Sequence, residues 1–406
     1  MSIPATSPRQ RVVSVDLLRG IVMIIMLLDH TREYVNADAF LFSPTDLSKT
    51  TAALFFTRWI THFCAPTFVF LSGVSIYLQR MRGKTGTQLT RFLVTRGLWL
   101  IVLEFTAVRF ALFFDFDYSL LGIAEVIWIF GVSMIVMGLL VRLPVWVSAV
   151  FGIVLIFGHN ALDAIAPPSM GGGAAPGLGQ IAWIFLHQPG AVPILGGASM
   201  IFVAYPLIPW VGVMAAGYAL GQIYEWDTDR RRRFLLLLGG AAIAVFIVLR
   251  WSNFYGDPSP WLPQERSGFT LLSFLNTTKY PVSLLFLLMT LGPALVVLAF
   301  ADRWKDSGAA AKVALTFGRV PLFYFILQLV IAHLAGVVLG YLAGYDVSFW
   351  FTNYPFSPTV KAPQGFGFSL LTTYLAWLVG LAVLYPLCRW YGEKKRASGH
   401  WLFSYM

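Results

Sequence analysis

The stretch SVDLLRGIVMIIMLLDHTR, residues 14–32, joins two things that seldom occur together. Its middle, from Gly20 to Leu28, is apolar enough for hydrocarbon, while its ends carry Asp16, Arg19, Asp29, His30 and Arg32. An ionisable side chain at the centre of a membrane helix costs roughly 2.5–3.5 kcal/mol, so such groups need partners or a task. Asp16 with Arg19, and Asp29 with Arg32, have the i,i+3 spacing of helical ion pairs. From Arg19 to His30 is about 16 Å along a helix, roughly half of a hydrocarbon core of about 30 Å. With Arg19 at the inner edge of a membrane, His30 reaches the midplane or beyond. Asp29 points about 100° away from His30 and is badly placed to orient its ring.

Outward from this segment, similar apolar runs repeat to the end of the chain. Of 406 residues, 58% are hydrophobic and 12% charged, about half the charged fraction usual in soluble domains. Runs long enough to span lie at 15–36, 52–78, 90–114, 119–141, 145–163, 198–221, 233–251, 280–301, 319–343 and 367–391. The expected fold is all-α, a polytopic membrane bundle of about ten transmembrane helices forming a single domain over residues 1–406. A short interfacial or re-entrant helix is expected at 178–187. Arg9 and Arg11 precede the first run and no small-residue cleavage site follows it, so it reads as an uncleaved signal anchor. No internal repeat is visible.

The net charge of +10 does not point to nucleic acid, because the basic residues sit in short loops on alternate sides of the runs. One side collects Arg80, Arg82, Lys84, Arg91, Arg96, Arg142, Arg230 to Arg233, Arg303, Lys305, Lys312, Arg319 and Lys394 to Arg396. These are topology signals and contacts to anionic membrane lipid, and they place both termini in the cytoplasm. The opposite face carries the longer loops, where function tends to sit.

Beyond the first helix, Arg58 and His62 precede Cys64-Ala65-Pro66, and the proline should kink the second run. Two histidines beside other ionisable groups make His30 and His62 the catalytic candidates. Glu104, Arg109 and Glu125 suggest a structural Glu–Arg pair, and Lys279 should snorkel to the interface. Gln328 and His333 are five residues apart and share a helix face poorly. His159, Asn160, Asp163 and His187 have no zinc spacing, so no metal is expected. Cys64 and Cys388 read as inert packing thiols.

Asp16-Leu17-Leu18-Arg19-Gly20 followed by His30 resembles the opening of the transmembrane acyltransferase superfamily. Within it, the chain looks most like bacterial relatives of the heparan-α-glucosaminide N-acetyltransferase catalytic-domain family. The stretches that carry the likeness are LLDHTR (27–32), RWITHFCAPTFVFLSG (58–73), YPLIPWVGVMAAGY (205–218), TKYPVSLLFLLMTLGP (278–293) and FGRVPLFYFILQLVIAH (317–333). The resemblance implies a multi-pass protein of a bacterial inner membrane, with acetyl-CoA as cytoplasmic donor and a sugar or glycan amine or hydroxyl as outer acceptor; a homodimer is compatible with it. The family histidine maps onto His30. Asp16, Arg19 and Arg58 are then candidates for the coenzyme A side, and His62 or Arg58 for polarising the thioester. The alternative from another class is an exporter of a sugar or lipid-linked solute, which buried charges in a bundle would also suit.

Overall fold

A computed structural model describes residues 12–165, 176–304, 308–357 and 359–398. Arg9, Arg11 and Lys305 of the basic loops lie outside the described residues. The chain is mostly helical, and among the described residues seven helices are long and apolar enough to cross a membrane.

Helix α1 (Val13–Val35) is the axis of the molecule. Then come α2 (Ala52–Thr61), α3 (Cys64–Met81) and α4 (Gly86–Leu103), which runs through a π-helical turn at 104–108 into α5 (Arg109–Phe113). Strand β1 (Leu120–Ala124) precedes α6 (Val126–Leu140), α7 (Val145–Gly158) and α8 (Leu178–Leu186), the short helix expected at 178–187. Strands β2 (Gly190–Ile194) and β3 (Ser199–Val203) lead to α9 (Leu207–Leu220) and α10 (Thr228–Ser252). The chain ends with α11 (Phe269–Leu275), α12 (Leu284–Trp304), α13 (Gly308–Gly318), α14 (Pro321–Leu342) and α15 (Leu370–Ala397).

The start signals are local. Thr51, Asp227 and Ser369 accept from backbone amides as N-caps of α2, α10 and α15, and Thr85 with Gln88 forms a capping box on α4. The run 52–78 divides at His62–Phe63. Pro66 has no amide to offer the carbonyl four residues back, and its ring crowds that carbonyl, so the helix breaks one turn before the proline.

Two expected spans differ. The runs 119–141 and 198–221 begin as strands, and the fold is not purely α: β3 pairs parallel with β1 and antiparallel with β2. This sheet has a positional consequence. The amides of Ala204 and Tyr205 both bond the Ala124 carbonyl, so Glu125 and Tyr205 emerge side by side.

Helices approach through paired small residues, as in membrane bundles where packing rather than burial from water drives association. A Cβ on Gly97 would lie 2.5 Å from the carbonyl oxygen of Gly131, one on Gly152 2.8 Å from that of Gly212, and one on Gly239 2.8 Å from that of Gly292. The outer faces of α7, α10 and α15 expose Ile153, Val154, Leu237, Val248, Leu371 and Val379, surface that suits lipid rather than water. By contrast α1 packs against α2, α3, α12, α13, α14 and α15. That enclosure lets its charged residues sit among protein partners instead of facing lipid. Three donors pin its middle: Cys64 Sγ to the Val22 carbonyl (3.2 Å), Tyr324 Oη to Met23 (2.8 Å) and Trp377 Nε1 to Ile24 (2.9 Å).

Candidate functional site

Arg19 and His30 are eleven residues apart on one unbroken helix. At 100° per residue they fall within about 20° of the same face, three turns apart. They open into two different cavities.

The cavity at the Asp16 end, about 430 Å³, is basic. It is lined by Arg19, Arg82, Lys84, Arg96, Arg319 and Lys395, with Asp16 its one lining carboxylate. Arg19 is anchored by Asp16 (3.0 Å), Ser75 Oγ (2.7 Å) and the Gly318 carbonyl (3.3 Å). Lys84 bonds Gln79 (2.8 Å) and lies 3.9 Å from the Phe92 ring centroid. Arg82 and Arg319 have no ion-pair partner among the described residues. Phe68, Phe130 and Phe325 form the deeper wall.

The cavity at the Asp29 end is larger, about 860 Å³. His30, His62, Arg58, Asp29, Glu33, Glu125, Tyr205 and Lys279 all line it. Asp29 accepts from Arg32 (3.2 Å) and, more closely, from Arg58 on α2. It is thereby committed to guanidinium groups rather than to the neighbouring His30. The carboxylate near His30 is Glu33, 3.5 Å from Nδ1. His62 is buried, its Nδ1 has no hydrogen-bond partner, and its ring lies 5.1 Å from that of Phe286. Trp350, Tyr354, Phe356 and Tyr280 add aromatic surface.

Phe325, on α14 and 5% exposed, lines both cavities. The two spaces therefore abut at one side chain, in the region where Cys64, Tyr324 and Trp377 fix the middle of α1.

His30, His62 and Arg58 thus come together, with Glu125 beside them. Asp16 and Arg19 stand at the other cavity, so Arg58 is separated from the two residues grouped with it for the coenzyme side. Several expectations are corrected. Arg109 does not pair with Glu104: its guanidinium bonds Asp115 Oδ1 (2.6 Å), Asn353 Oδ1 (2.9 Å) and the carbonyls of Asp115, Asp117 and Leu120. These bonds fold the loop after α5 and hold the Tyr354 segment to it. In the same loop the amide and hydroxyl of Ser119 hold the Asp117 carboxyl below its ordinary range. Glu104 instead accepts the Trp128 amide in the first turn of α6, where a carboxylate meets unsatisfied N–H groups. Lys279 lines the His30 cavity. His333 is a packing residue, stacked on Phe114 at 3.9 Å and Tyr34 at 4.7 Å. His187 bonds Asp163 (2.8 Å) and Asn160 bonds the Leu284 amide (2.8 Å), tying the residues after α7 to α8 and α12. Among the described residues no three His, Cys, Asp or Glu side chains gather as metal ligands.

An enclosed charged helix, spanning-length helices around it, and a basic and a histidine-bearing cavity meeting at one ring define a polytopic membrane protein with a built polar interior. The family model for heparan-α-glucosaminide N-acetyltransferase, catalytic, matches residues 11–254, more than half of the chain, and the chain belongs to this acetyltransferase family. No individual curated protein matches it.

Proposed function

We propose that the chain moves an acetyl group from acetyl-CoA, bound from the cytoplasm, to a sugar amine or hydroxyl on the outer side of a bacterial inner membrane. The observation that carries this reading is the junction at Phe325. A cavity rich in cations meets one holding two histidines, and a single molecule with phosphates at one end and a thioester at the other would occupy both.

In this reading ten spans form one domain with both termini cytoplasmic. Helices α1, α4–α5 and α6 join the seven spanning-length helices, the first two carrying several charged residues and the third being short. The phosphates of coenzyme A sit among Arg82, Lys84, Arg96 and Arg319, with the anchored Arg19 deeper. The pantetheine arm follows the face of α1 past Phe325. The acceptor occupies the aromatic mouth of the other cavity.

Glu33 beside Nδ1 of His30 favours the tautomer with its proton there, leaving Nε2 to act as base. The acceptor heteroatom attacks the thioester carbonyl as His30 Nε2 takes its proton; the carbon–sulfur bond then breaks and the leaving thiolate receives a proton. His62 or the Asp29-held Arg58 polarises the carbonyl and supports its developing negative charge.

The test uses the purified full chain in detergent with labelled acetyl-CoA. Acetyl transfer to a sugar amine, and heat protection by coenzyme A that weakens as salt screens its phosphates, are expected. Protection absent at every salt concentration, with no transfer, overturns the reading and leaves the exporter class.

A further inference from the structure

The cavity that holds His30 has one cation that makes no close ion pair among the described residues. Arg32 has the carboxylates of Asp29 and Glu33, and Arg58 has Asp29. Lys279 lines the same space, and no carboxylate lies within ion-pair distance of it among the described residues. Its ammonium is left with ring faces, 5.1 Å from the centroid of Tyr280 and 5.9 Å from that of Tyr205. Such contacts are modest and leave the ammonium free to meet an anion that enters the cavity.

The side chain is also presented by a built support. Asp257 accepts the amide (2.9 Å) and hydroxyl (2.8 Å) of Thr278 and the hydroxyl of Ser283 (2.8 Å), clamping both sides of the Lys279 turn. Arg250, behind it, donates to the carbonyls of Ser259, Ser273, Phe274 and Asn276. A lysine fixed this firmly, beside the polar wall of Ser259, Asn276 and Thr277 and opposite aromatic rings, is placed to receive a ligand.

We infer that Lys279 is the anchor for an anionic group, a phosphate or a carboxylate, on the acceptor, so that the acceptor is an acidic sugar rather than a neutral one. This rests on the acyltransferase reading for the acceptor's role, but the binding it requires can be measured without any transfer. A fixed cation at the cavity wall neutralises the ligand's charge and sets its register against the rings. The acceptor's amine or hydroxyl is then held by position instead of by its own weak contacts. Glu125 shares the cavity, and unlike Asp29 it is in no ion pair with an arginine among the described residues, so it is the internal group that competes for the ammonium.

The experiment measures thermal unfolding of the full chain with glucose, glucose 6-phosphate and glucuronate, for the wild type, Lys279→Met and Lys279→Arg. An acidic sugar should protect the wild type better than glucose does. Its apparent Kd should rise about thirtyfold in Lys279→Met, as for truncation of one partner of a close charge pair, and change little in Lys279→Arg. Protection by glucose 6-phosphate alone assigns a phosphate, and by glucuronate alone a carboxylate. Acidic sugars no better than glucose, or equal protection of Lys279→Met, overturn the inference and leave Lys279 to Glu125. Melting temperatures without ligand report whether each variant folds. Coenzyme A protection in the same samples reports separately on the acyltransferase reading: its failure beside intact acidic-sugar binding sinks that reading alone.

Discussion

The carboxylate of Glu33 lies 3.5 Å from Nδ1 of His30, one turn further along α1. At that distance, with Nδ1 making no hydrogen bond among the described residues, the carboxylate acts on the ring through its charge, and in the proposed reaction it would bias the tautomer without contacting the thioester. Glu33→Gln should therefore reduce kcat by about 10–100-fold, below the 10²–10⁴-fold typical of a general base itself. The KM for acetyl-CoA and heat protection by coenzyme A should not move. A rise in KM with kcat preserved would give Glu33 a binding role at the mouth instead.

The basic cavity makes the opposite demand. Arg319 has no ion-pair partner among the described residues and faces the space where phosphates are proposed. Arg319→Ala should raise the KM for acetyl-CoA about tenfold with kcat nearly unchanged, the signature of binding shared by ground and transition states. The salt dependence of coenzyme A protection should become shallower, because one exposed phosphate contact has gone. Steady-state kinetics at two ionic strengths measure both.

These residues differ in how openly the sequence declares them. The enclosed helix was legible because Asp16, Arg19, Asp29 and Arg32 fall at pair spacing around an apolar run, and the two ion pairs form as spaced. Glu33 obeys the same spacing from His30, and applying that rule once more would have found it. The strands could not be found that way: LLGIA (120–124) and SMIFV (199–203) are short apolar runs continuous with helical ones, and only their mutual pairing decides. Arg109 was unreadable for another reason. Its partners are a local loop and Asn353, 244 residues away, and no local pattern announces a guanidinium satisfied chiefly by carbonyls. That Lys279 lines the His30 cavity was not readable either, because the turn that presents it is set by Asp257, twenty-one residues before Thr278.

Close approach of α1 to α13 yields a stability prediction. A methyl on Gly20 would overlap the Ala314 carbonyl, and one on Gly318 the carbonyl of Asp16. Backbone cannot yield as a side chain tip does, so Gly20→Ala should destabilise by about 1–3 kcal/mol, the usual cost of overpacking. Gly240→Ala on α10, where an added Cβ meets nothing within 4 Å, should be neutral or slightly stabilising. Thermal melts in one detergent compare them, and an equally harmless Gly20→Ala would contradict the packing described.

Topology is open to direct measurement. Alternating basic loops predict that a reporter fused at the C-terminus is active only in its cytoplasmic form, and that a cysteine at Asp46 is labelled by impermeant reagents from outside. The carboxylate of Asp46 is held low by the hydroxyl and amide of Ser48, so the loop is charged at neutral pH and should stay in water. A C-terminus found outside would reverse the donor and acceptor faces proposed here.

His30 bears the most exacting test. It lines the cavity proposed for the acceptor, three turns from Arg19 and away from the proposed phosphate contacts, so its loss should appear in turnover and not in donor binding. Glutamine keeps approximate size and a hydrogen-bonding group but cannot accept a proton at neutral pH. His30→Gln should lower kcat by about 10²–10⁴-fold while coenzyme A protects against heat as before. Wild-type turnover should fall on the acid side as the imidazole takes up a proton, and that limb should vanish from the variant's residual activity. His62→Gln separates the two rings: buried, with Nδ1 unpartnered, His62 should cost about as much in kcat if it donates to the developing oxyanion, and little if it only packs against Phe286. Near-normal turnover in His30→Gln together with a large loss in His62→Gln would move the base from the first helix to the break between α2 and α3.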